Sequence, residues 1–170
     1  DNRTGMFFQQ NEIGPEDLSD TVSLMIKINR EGLVELNEDE SYTLLVETEQ
    51  ILLEAETDLG ALMGLETLVQ LLSADERGDY FPEVVITDEP RFPWRGLLID
   101  VSRHWIPENI IKRNIDGMAA VKMNVLHLHL TDDQGFRIES RVFPKLHELG
   151  SGGNYYRQEQ IKDIVSYASD

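Results

Sequence analysis

The sequence predicts an α+β domain, a β-sheet with helices on one side, followed by two βα units of a parallel α/β fold. Apolar residues recur at every second position in the first half, which is typical of half-buried strands. After residue 90 the order changes to strand, helix, strand and helix, which is typical of a parallel sheet. The charge changes at the same place, so we expect two domains, residues 1–89 and 90–170.

Charge is distributed unevenly along the 170 residues. Residues 1–90 hold 22 acidic and 4 basic side chains, whereas residues 91–170 hold 10 acidic and 11 basic ones, and the whole chain has a net charge of −17. A change of this size indicates two structural units. An acidic chain repels phosphate backbones, so no nucleic-acid partner is expected. The acidic half is interpreted as a solubilising surface.

The chain contains no cysteine and no apolar run near the roughly 20 residues that a membrane-spanning helix needs. We therefore expect no membrane span, no disulfide and no thiolate metal site. Asp1 stands in place of an initiating Met, and no basic-then-apolar leader follows it. Any targeting peptide is thus expected to have been removed or to lie outside this sequence.

The first domain is expected to contain four strands and a helix. Alternating apolar residues predict the strands, of which the second and third can form a hairpin. The strands are Thr21–Asn29, Tyr42–Thr48, Ile51–Ala55 and Val84–Thr87. Thr57 and Asp58 offer N-cap oxygens to the helix. Its apolar stripe would consist of Leu62, Leu65, Leu68, Val69 and Leu72.

The second domain is expected to alternate strands with helices, and its strands should be buried on both faces. The strands are Gly96–Val101 and Asn124–Leu130, and the helices are Pro107–Lys122 and Gln158–Ala168. The inward-facing residues would be Ile110, Ile111, Met118 and Ala119 in the first helix and Ile161, Ile164, Val165 and Ala168 in the second. Two βα units neither close a barrel nor complete a doubly wound sheet. We therefore expect the polypeptide to continue past Asp170 or, as the alternative, another chain to complete it.

An eleven-residue segment that begins at Asn124, with the sequence NVLHLHLTDDQ, has the pattern most typical of a site. In a strand its leucines share one face, and His127 and His129 share the other. The leucines are expected to face the helices, whereas the histidines would point into a barrel. Asp132 and Asp133 follow at the carboxyl end of the strand, where the active sites of such barrels lie.

The first strand of the second domain ends in the same way, because Asp100 and Arg103 lie at its carboxyl end. An arginine presents a rigid fork of donors that suits neighbouring hydroxyls or a carboxylate. Arg103 could instead pair with Asp100 or with Asp132 and only stabilise the loops. From the spacing alone, a binding site and a loop-stabilising ion pair are equally good interpretations.

A metal site is the competing interpretation of the histidines. His127, His129 and Asp132 offer imidazole and carboxylate ligands within one strand and its loop. No HExxH helix and no cysteine ligand accompanies them, which favours hydrogen-bonded histidines instead. We therefore expect neither a metal nor another cofactor.

Four aromatic residues in the second domain could stack on sugar rings. Aromatic side chains at strand ends more often pack in a core or an interface, which we take as the first interpretation. These residues are Trp94, Trp105, Tyr155 and Tyr156.

Two long motifs resemble the catalytic barrel of glycoside hydrolase family 20. The first begins at Pro90 and reads PRFPWRGLLIDVSRH, and the second is the segment from Asn124, followed by FPKL from Phe143. The first domain resembles the non-catalytic α+β domain of the same family in ESYTL from Glu40 and GALMGLETL from Gly60. The resemblance covers all but about the first twenty residues. It implies that residues 90–170 are the first two βα units of a (β/α)8 TIM barrel.

The resemblance also implies an activity, which is that of a β-N-acetylhexosaminidase. Enzymes of this family remove terminal β-linked N-acetylglucosamine or N-acetylgalactosamine by a retaining mechanism in which the acetamido group of the substrate is the nucleophile. An adjacent Asp-Glu pair on a later strand orients that group and acts as acid and base. This pair is expected beyond Asp170, so no catalytic residue is assigned here and the 170-residue chain is expected to be inactive.

Three residues of the chain match functional positions of the family motif. Arg103 matches an arginine that binds hydroxyls of the terminal sugar, and Asp132 matches a carboxylate linked to the hydrogen-bond network of the catalytic acid. His129 matches a histidine near the rim. Asp100 and Asp133 match motif positions that are interpreted as supporting the barrel, and Arg95 is interpreted as a packing or interdomain arginine.

The partners implied by the resemblance are glycans with a terminal N-acetylhexosamine. The substrate class and the absence of cysteine favour a secreted or periplasmic bacterial protein. The alternative is a protein that binds amino sugars, or another chain, without hydrolysis. The unpaired barrel edge that such a short protein would leave exposed argues against this alternative.

Overall fold

The computed structural model describes residues 23–169, which form two compact units that divide between Arg91 and Phe92. The first two residues of the predicted strand Thr21–Asn29 lie outside the described range, as do residues 1–20. Among the described residues, no helix is long and apolar enough to cross a bilayer.

The described residues of the first unit form a four-stranded sheet, a helix and a small two-stranded hairpin. Its elements are β1 Leu24–Arg30, β2 Tyr42–Val46, β3 Ile51–Thr57, α1 Asp58–Leu71, β4 Ser73–Asp75, β5 Gly78–Tyr80 and β6 Val84–Asp88. The order in the sheet is β1-β3-β2-β6. Strands β2 and β3 form the predicted antiparallel hairpin, β6 joins β2 antiparallel, and β1 joins β3 in parallel. The hairpin of β4 and β5 was not predicted, because strands of three largely polar residues show no apolar period.

The sheet packs against α1 through small residues of the helix. Helix α1 begins after Thr57, whose side chain accepts a hydrogen bond from the Gly60 amide at 3.0 Å, as the predicted N-cap requires. The predicted leucine stripe is wrong at Leu62, which is 52% exposed. The buried residues of the helix are Gly60, Ala61, Gly64 and Leu68.

Glycine brings α1 close to the sheet. A methyl group added at Gly60 would lie 2.5 Å from the main-chain oxygen of Ser41. One added at Gly64 would overlap Leu53 and lie 3.0 Å from Cδ2 of Tyr42. The close approach admits only small residues, which is why the buried face of α1 differs from its most apolar face. A hydrophobicity pattern misses such a face because glycine has no apolar side chain.

The substitution Gly64→Ala is expected to lower the free energy of unfolding of the first unit by about 1–3 kcal/mol, the usual cost of overpacking a core. Gly117→Ala is the matched control, since no atom lies within 4 Å of the added methyl group there. Alanine in a helix interior is more stable than glycine by about 0.5–1 kcal/mol, so the control should be neutral or stabilised. Urea unfolding of the three proteins measures both effects. Equal midpoints for Gly64→Ala and the wild type would show that the sheet and helix can move apart at no cost.

The second unit contains a pair of parallel strands with helices on one side. Its elements are β7 Gly96–Asp100, α2 Glu108–Ala120, β8 Val125–His129, β9 Thr131–Asp132, β10 Gly135–Phe136, α3 Lys145–Gly150 and α4 Gln158–Ser169. Strands β7 and β8 pair in parallel, with Asp100 opposite His129, as the β-α-β order predicts. The short elements β9, β10 and α3 were not predicted, because each is too short to show a period.

The core of the second unit lies between the strand pair and helices α2 and α4. Its buried residues are Val101, Ile111, Tyr156 and Ile164, and the three leucines of the β8 segment pack against them, as their parity predicts. Three helix residues predicted to face inward are exposed: Ala119, Ala168, and Val165 at 60%. The opposite face of the strand pair is also exposed, since Leu98 is 56% accessible. The expectation of burial on both faces is thus wrong for the described residues, because their helices cover only one face.

Candidate functional site

The candidate site lies where β7 and β8 end side by side. The register places Asp100 beside His129. Because successive side chains of a strand point to opposite faces, both residues lie on the face that does not pack on the helices. Arg103 follows β7, and Asp132 lies in β9 just after β8. We call these four residues the Arg103 cluster. Residues 29 positions apart in the sequence thus share one end of the strand pair.

Arg103 forms ion pairs with two carboxylates. Its Nη1 lies 2.5 Å from Oδ2 of Asp100, and its Nη2 lies 2.6 Å from Oδ2 of Asp132. The other oxygen of Asp100, Oδ1, accepts hydrogen bonds from the amides of Ser102 and Arg103 at 3.1 and 3.0 Å. The two ion pairs considered from the sequence therefore occur together, and Asp100 holds both the backbone and the side chain of Arg103.

The carboxylate of Asp132 connects Arg103 to His129. Nε2 of His129 lies 2.9 Å from the same Oδ2 that accepts from Arg103, and the Asp133 amide donates to Oδ1 at 2.8 Å. The hydrogen bond from His129 is the largest of the effects that lower the pKa of Asp132 to about 2. The amide of Asp133 adds to this effect, and so does the charge of Arg103. Asp132 is therefore ionised at every pH above about 3.

Electrostatics within the cluster favour the charged forms of Asp100 and Arg103 as well. The pKa of Asp100 is lowered, mainly by the hydrogen bond from the Arg103 amide. The pKa of Arg103 is raised, first by its hydrogen bond to Asp100 and then by the charge of Asp132. The guanidinium is 56% exposed although it pairs with two carboxylates. Two of its five N–H donors serve these ion pairs, so the cluster can present further donors to a hydroxylated ligand.

Of the other predicted residues, Asp133 adjoins the cluster, whereas Arg95 lies at the opposite end of β7. The amide of Asp133 donates to Asp132, and its exposed side chain also lowers the pKa of Asp132. Arg95 lies at the start of β7, where its side chain donates to the carbonyls of Lys122 at 2.7 Å and Phe92 at 2.9 Å, in agreement with a packing role. His127 is exposed on the same face as His129. Among residues 23–169, no three His, Cys, Asp or Glu side chains are grouped so that they could hold a metal ion.

Two of the candidate aromatic residues belong to the core. Tyr156 is fully buried, its hydroxyl donates to the carbonyl of Ile106, and burial raises its pKa to about 12. Trp105 packs on it with the ring centroids 4.5 Å apart. Tyr155 packs on the buried ring of His147, whereas Trp94 is 58% exposed. The core interpretation is therefore confirmed for Trp105 and Tyr156.

Sequence reasoning missed two residues that support the site, Ser102 and Arg137. The hydroxyl of the fully buried Ser102 donates to the carbonyl of Gly135 at 2.7 Å. The guanidinium of Arg137 donates to the carbonyl of Ser102 at 3.0 and 3.2 Å. These bonds join groups 33 and 35 positions apart in the chain, and no local spacing indicates such a contact.

Comparison with known proteins identifies the family of both units. The model described as "Glycosyl hydrolase family 20, catalytic domain" matches residues 92–170. A second model, described as "beta-acetyl hexosaminidase like", matches residues 8–71. The Arg103 cluster lies entirely within the match to the catalytic domain.

Related proteins and structures agree with the family models. The chain is 41% identical over 150 residues to the mouse beta-hexosaminidase subunit beta, a match that covers 86% of this chain and 28% of the mouse protein. It superimposes on the chitobiase of Flavobacterium johnsoniae with a TM-score of 0.87 and 52% identity, over 99% of this chain and 26% of that one. The family 20 exo-β-N-acetylglucosaminidase of Vibrio harveyi gives a TM-score of 0.74 and 33% identity, over 86% of this chain and 25% of that one.

The chain thus spans little more than a quarter of the length of these proteins. Its similarity to them extends through both compact units, and the two family models match separate parts of it. These matches show that the chain belongs to glycosyl hydrolase family 20, the family of the β-N-acetylhexosaminidases.

Proposed function

We propose that the chain is part of a β-N-acetylhexosaminidase, a glycoside hydrolase that acts on glycans with a terminal β-linked N-acetylglucosamine or N-acetylgalactosamine. The observation that carries this proposal is the Arg103 cluster, which lies at the carboxyl ends of two parallel strands within the match to the catalytic domain. Active sites of α/β enzymes are built at that end of the strands.

In this proposal, residues 90–170 supply the first two βα units of a TIM barrel, and residues 1–89 form the non-catalytic α+β domain. The parallel pairing of β7 and β8, with helices on one face only, supports the first assignment. The exposed face that carries Leu98 and His127 would then point into the barrel, where the remaining strands would cover it.

Arg103 is proposed to bind hydroxyls of the terminal sugar. Its guanidinium is accessible, and Asp100 and Asp132 hold it from two sides, so little conformational freedom is lost when a ligand binds. A guanidinium fixed in this way donates to neighbouring hydroxyls with the geometry of a rigid fork.

Asp132 and His129 are proposed to support catalysis without reacting. An aspartate with a pKa of about 2 is a poor general acid or base near neutral pH, whereas it is a constant negative charge that can orient hydrogen-bond donors. The reacting groups would be an Asp-Glu pair on a later strand. The Asp would orient the substrate acetamido group for attack on the anomeric carbon, and the Glu would protonate the leaving oxygen and then deprotonate water.

The proposal is tested by measuring nitrophenol release from a β-N-acetylglucosaminide. The 170-residue chain is compared with a longer polypeptide that extends it through the natural continuation of its gene. Activity is expected only in the longer form, because the Asp-Glu pair that would carry out the reaction is proposed to lie on a later strand. Robust hydrolysis by the 170-residue chain would contradict the proposed position of the Asp-Glu pair.

A binding role without hydrolysis is the second candidate, and the accessibility of Arg103 favours it. It predicts that the longer polypeptide binds N-acetylglucosamine in a calorimetric titration and releases no nitrophenol. Turnover in the assay above excludes it as the sole function.

A further inference from the structure

Arg137 lies between three loops of the second unit, and its guanidinium donates hydrogen bonds to main-chain oxygens. Nη2 and Nε donate to the carbonyl of Ser102 at 3.0 and 3.2 Å. Nη1 donates to the carbonyls of Ser151 and Asn154, the latter at 3.2 Å. The amide of Arg137 itself donates to the carbonyl of Leu130 at the end of β8, at 2.8 Å. Because the acceptors are main-chain oxygens, this arginine orders the backbone instead of neutralising a carboxylate.

The guanidinium folds back over Gly135. A methyl group added at Gly135 would lie 2.6 Å from both Cζ and Nε of Arg137. No positive φ is found at Gly135, so glycine is required there for space and not for its backbone conformation. Gly135 is buried and accepts the hydrogen bond from the hydroxyl of Ser102.

These contacts connect the two halves of the Arg103 cluster. Ser102 immediately precedes Arg103, and Gly135 pairs with Asp132 in the β9–β10 hairpin. One set of hydrogen bonds, from Arg137 to Ser102 and from Ser102 to Gly135, therefore joins the loop of Arg103 to the hairpin of Asp132.

We propose that Arg137 is a positioning residue that holds Arg103 and Asp132 at the spacing needed to bind the terminal sugar. This inference rests on the proposed function, and it adds a residue to the site. A lysine cannot replace the arginine fully, because it has no planar fork with which to reach the carbonyls of Ser102, Ser151 and Asn154 together.

The first experiment measures kcat and KM of the longer, active polypeptide with Arg137→Met, Arg137→Lys and Gly135→Ala. We expect Arg137→Met to lower kcat/KM about 10-fold, since misplacing a functional group by about 1 Å costs up to about 10²-fold. Arg137→Lys should recover part of the loss. Gly135→Ala should resemble Arg137→Met although it keeps the arginine, because the added methyl group displaces the guanidinium.

The matched control is Arg141→Met, since the side chain of Arg141 is 67% exposed and pairs only with Glu159 on the surface of the described residues. Its kcat/KM is expected to stay within about twofold of the wild type, as is usual for surface ion pairs. Wild-type kinetics in Arg137→Met would overturn the inference while leaving the proposed function intact.

A double-mutant cycle separates positioning from general stability. If Arg137 acts through Arg103, adding Arg137→Met to Arg103→Ala should cause less than about a threefold further loss in kcat/KM. An undiminished 10-fold loss in that background, together with a lowered Tm, would identify Arg137 as a purely structural residue and overturn the inference.

Crystal structures of the variants test the inference without an enzymatic assay. Nη2 of Arg103 and Oδ2 of Asp132 are 2.6 Å apart in the wild type, and we expect them beyond hydrogen-bonding distance in Arg137→Met. An unchanged ion pair would overturn the inference, whether or not the polypeptide proves to be a hexosaminidase. Absence of hydrolysis by the wild type, with the ion pair lost in the variant, would overturn the proposed function alone.

Discussion

Arg103→Ala in the longer polypeptide is expected to lower kcat/KM by about 10²- to 10³-fold, the usual effect of removing one fixed donor from a catalytic site. Two consequences combine in this variant. The sugar loses the donors that would bind its hydroxyls, and the carboxylates of Asp100 and Asp132 lose the cation between them. Nitrophenol release at substrate concentrations above and below KM gives both kinetic constants.

Two further variants test whether the loss of activity is specific to the guanidinium of Arg103. Arg103→Lys keeps the positive charge but not the fork, so it should recover only a small part of the activity. Arg113→Ala replaces an exposed arginine of α2 and should leave the kinetics unchanged. A loss of less than about threefold in Arg103→Ala would mean that the guanidinium does not contact the substrate.

Asp132→Asn is expected to lower kcat/KM by about 10²-fold, the cost typical of a small misplacement of catalytic groups. Asparagine has nearly the same shape but no charge, so Arg103 and His129 lose the anion that holds both. Asp116→Asn is the matched control, because Asp116 is an exposed aspartate of α2 that accepts a hydrogen bond from Tyr167 and takes no part in the Arg103 cluster. Equal losses in the two variants would show that the charge of Asp132 has no special role.

The low pKa of Asp132 gives this prediction a dependence on pH. With a pKa lowered from 3.8 to about 2, the folded state binds this proton more weakly than the unfolded chain does. The resulting stabilisation is present above about pH 4 and is lost as the pH falls toward 2. Asp132→Asn should thus flatten the fall of Tm in this range, measured by circular dichroism.

Much of the secondary structure could be predicted from the sequence, because strand alternation and helical spacing are local signals. The parity of the β8 segment correctly predicted which leucines pack on the helices and which face carries His129. The prediction was wrong at Leu62 and Val165, where apolar residues at helical spacing are exposed. Burial at these two positions depends on how closely α1 approaches the sheet and on which face of the second unit is covered. The spacing of apolar residues in the sequence indicates neither.

The sequence by itself determined the type and order of the main elements, and its motifs placed Arg103, Asp132 and His129 at the ends of neighbouring strands. Only the tertiary structure decided that Arg103 pairs with two carboxylates at once, and that Arg137 joins their loops through Ser102. The physical reason is the sequence separation over which each interaction acts. Alternation and capping act over a few residues. The bonds from Arg103 to Asp132 and from Arg137 to Ser102 connect groups 29 and 35 positions apart, which come together only when parallel strands pair.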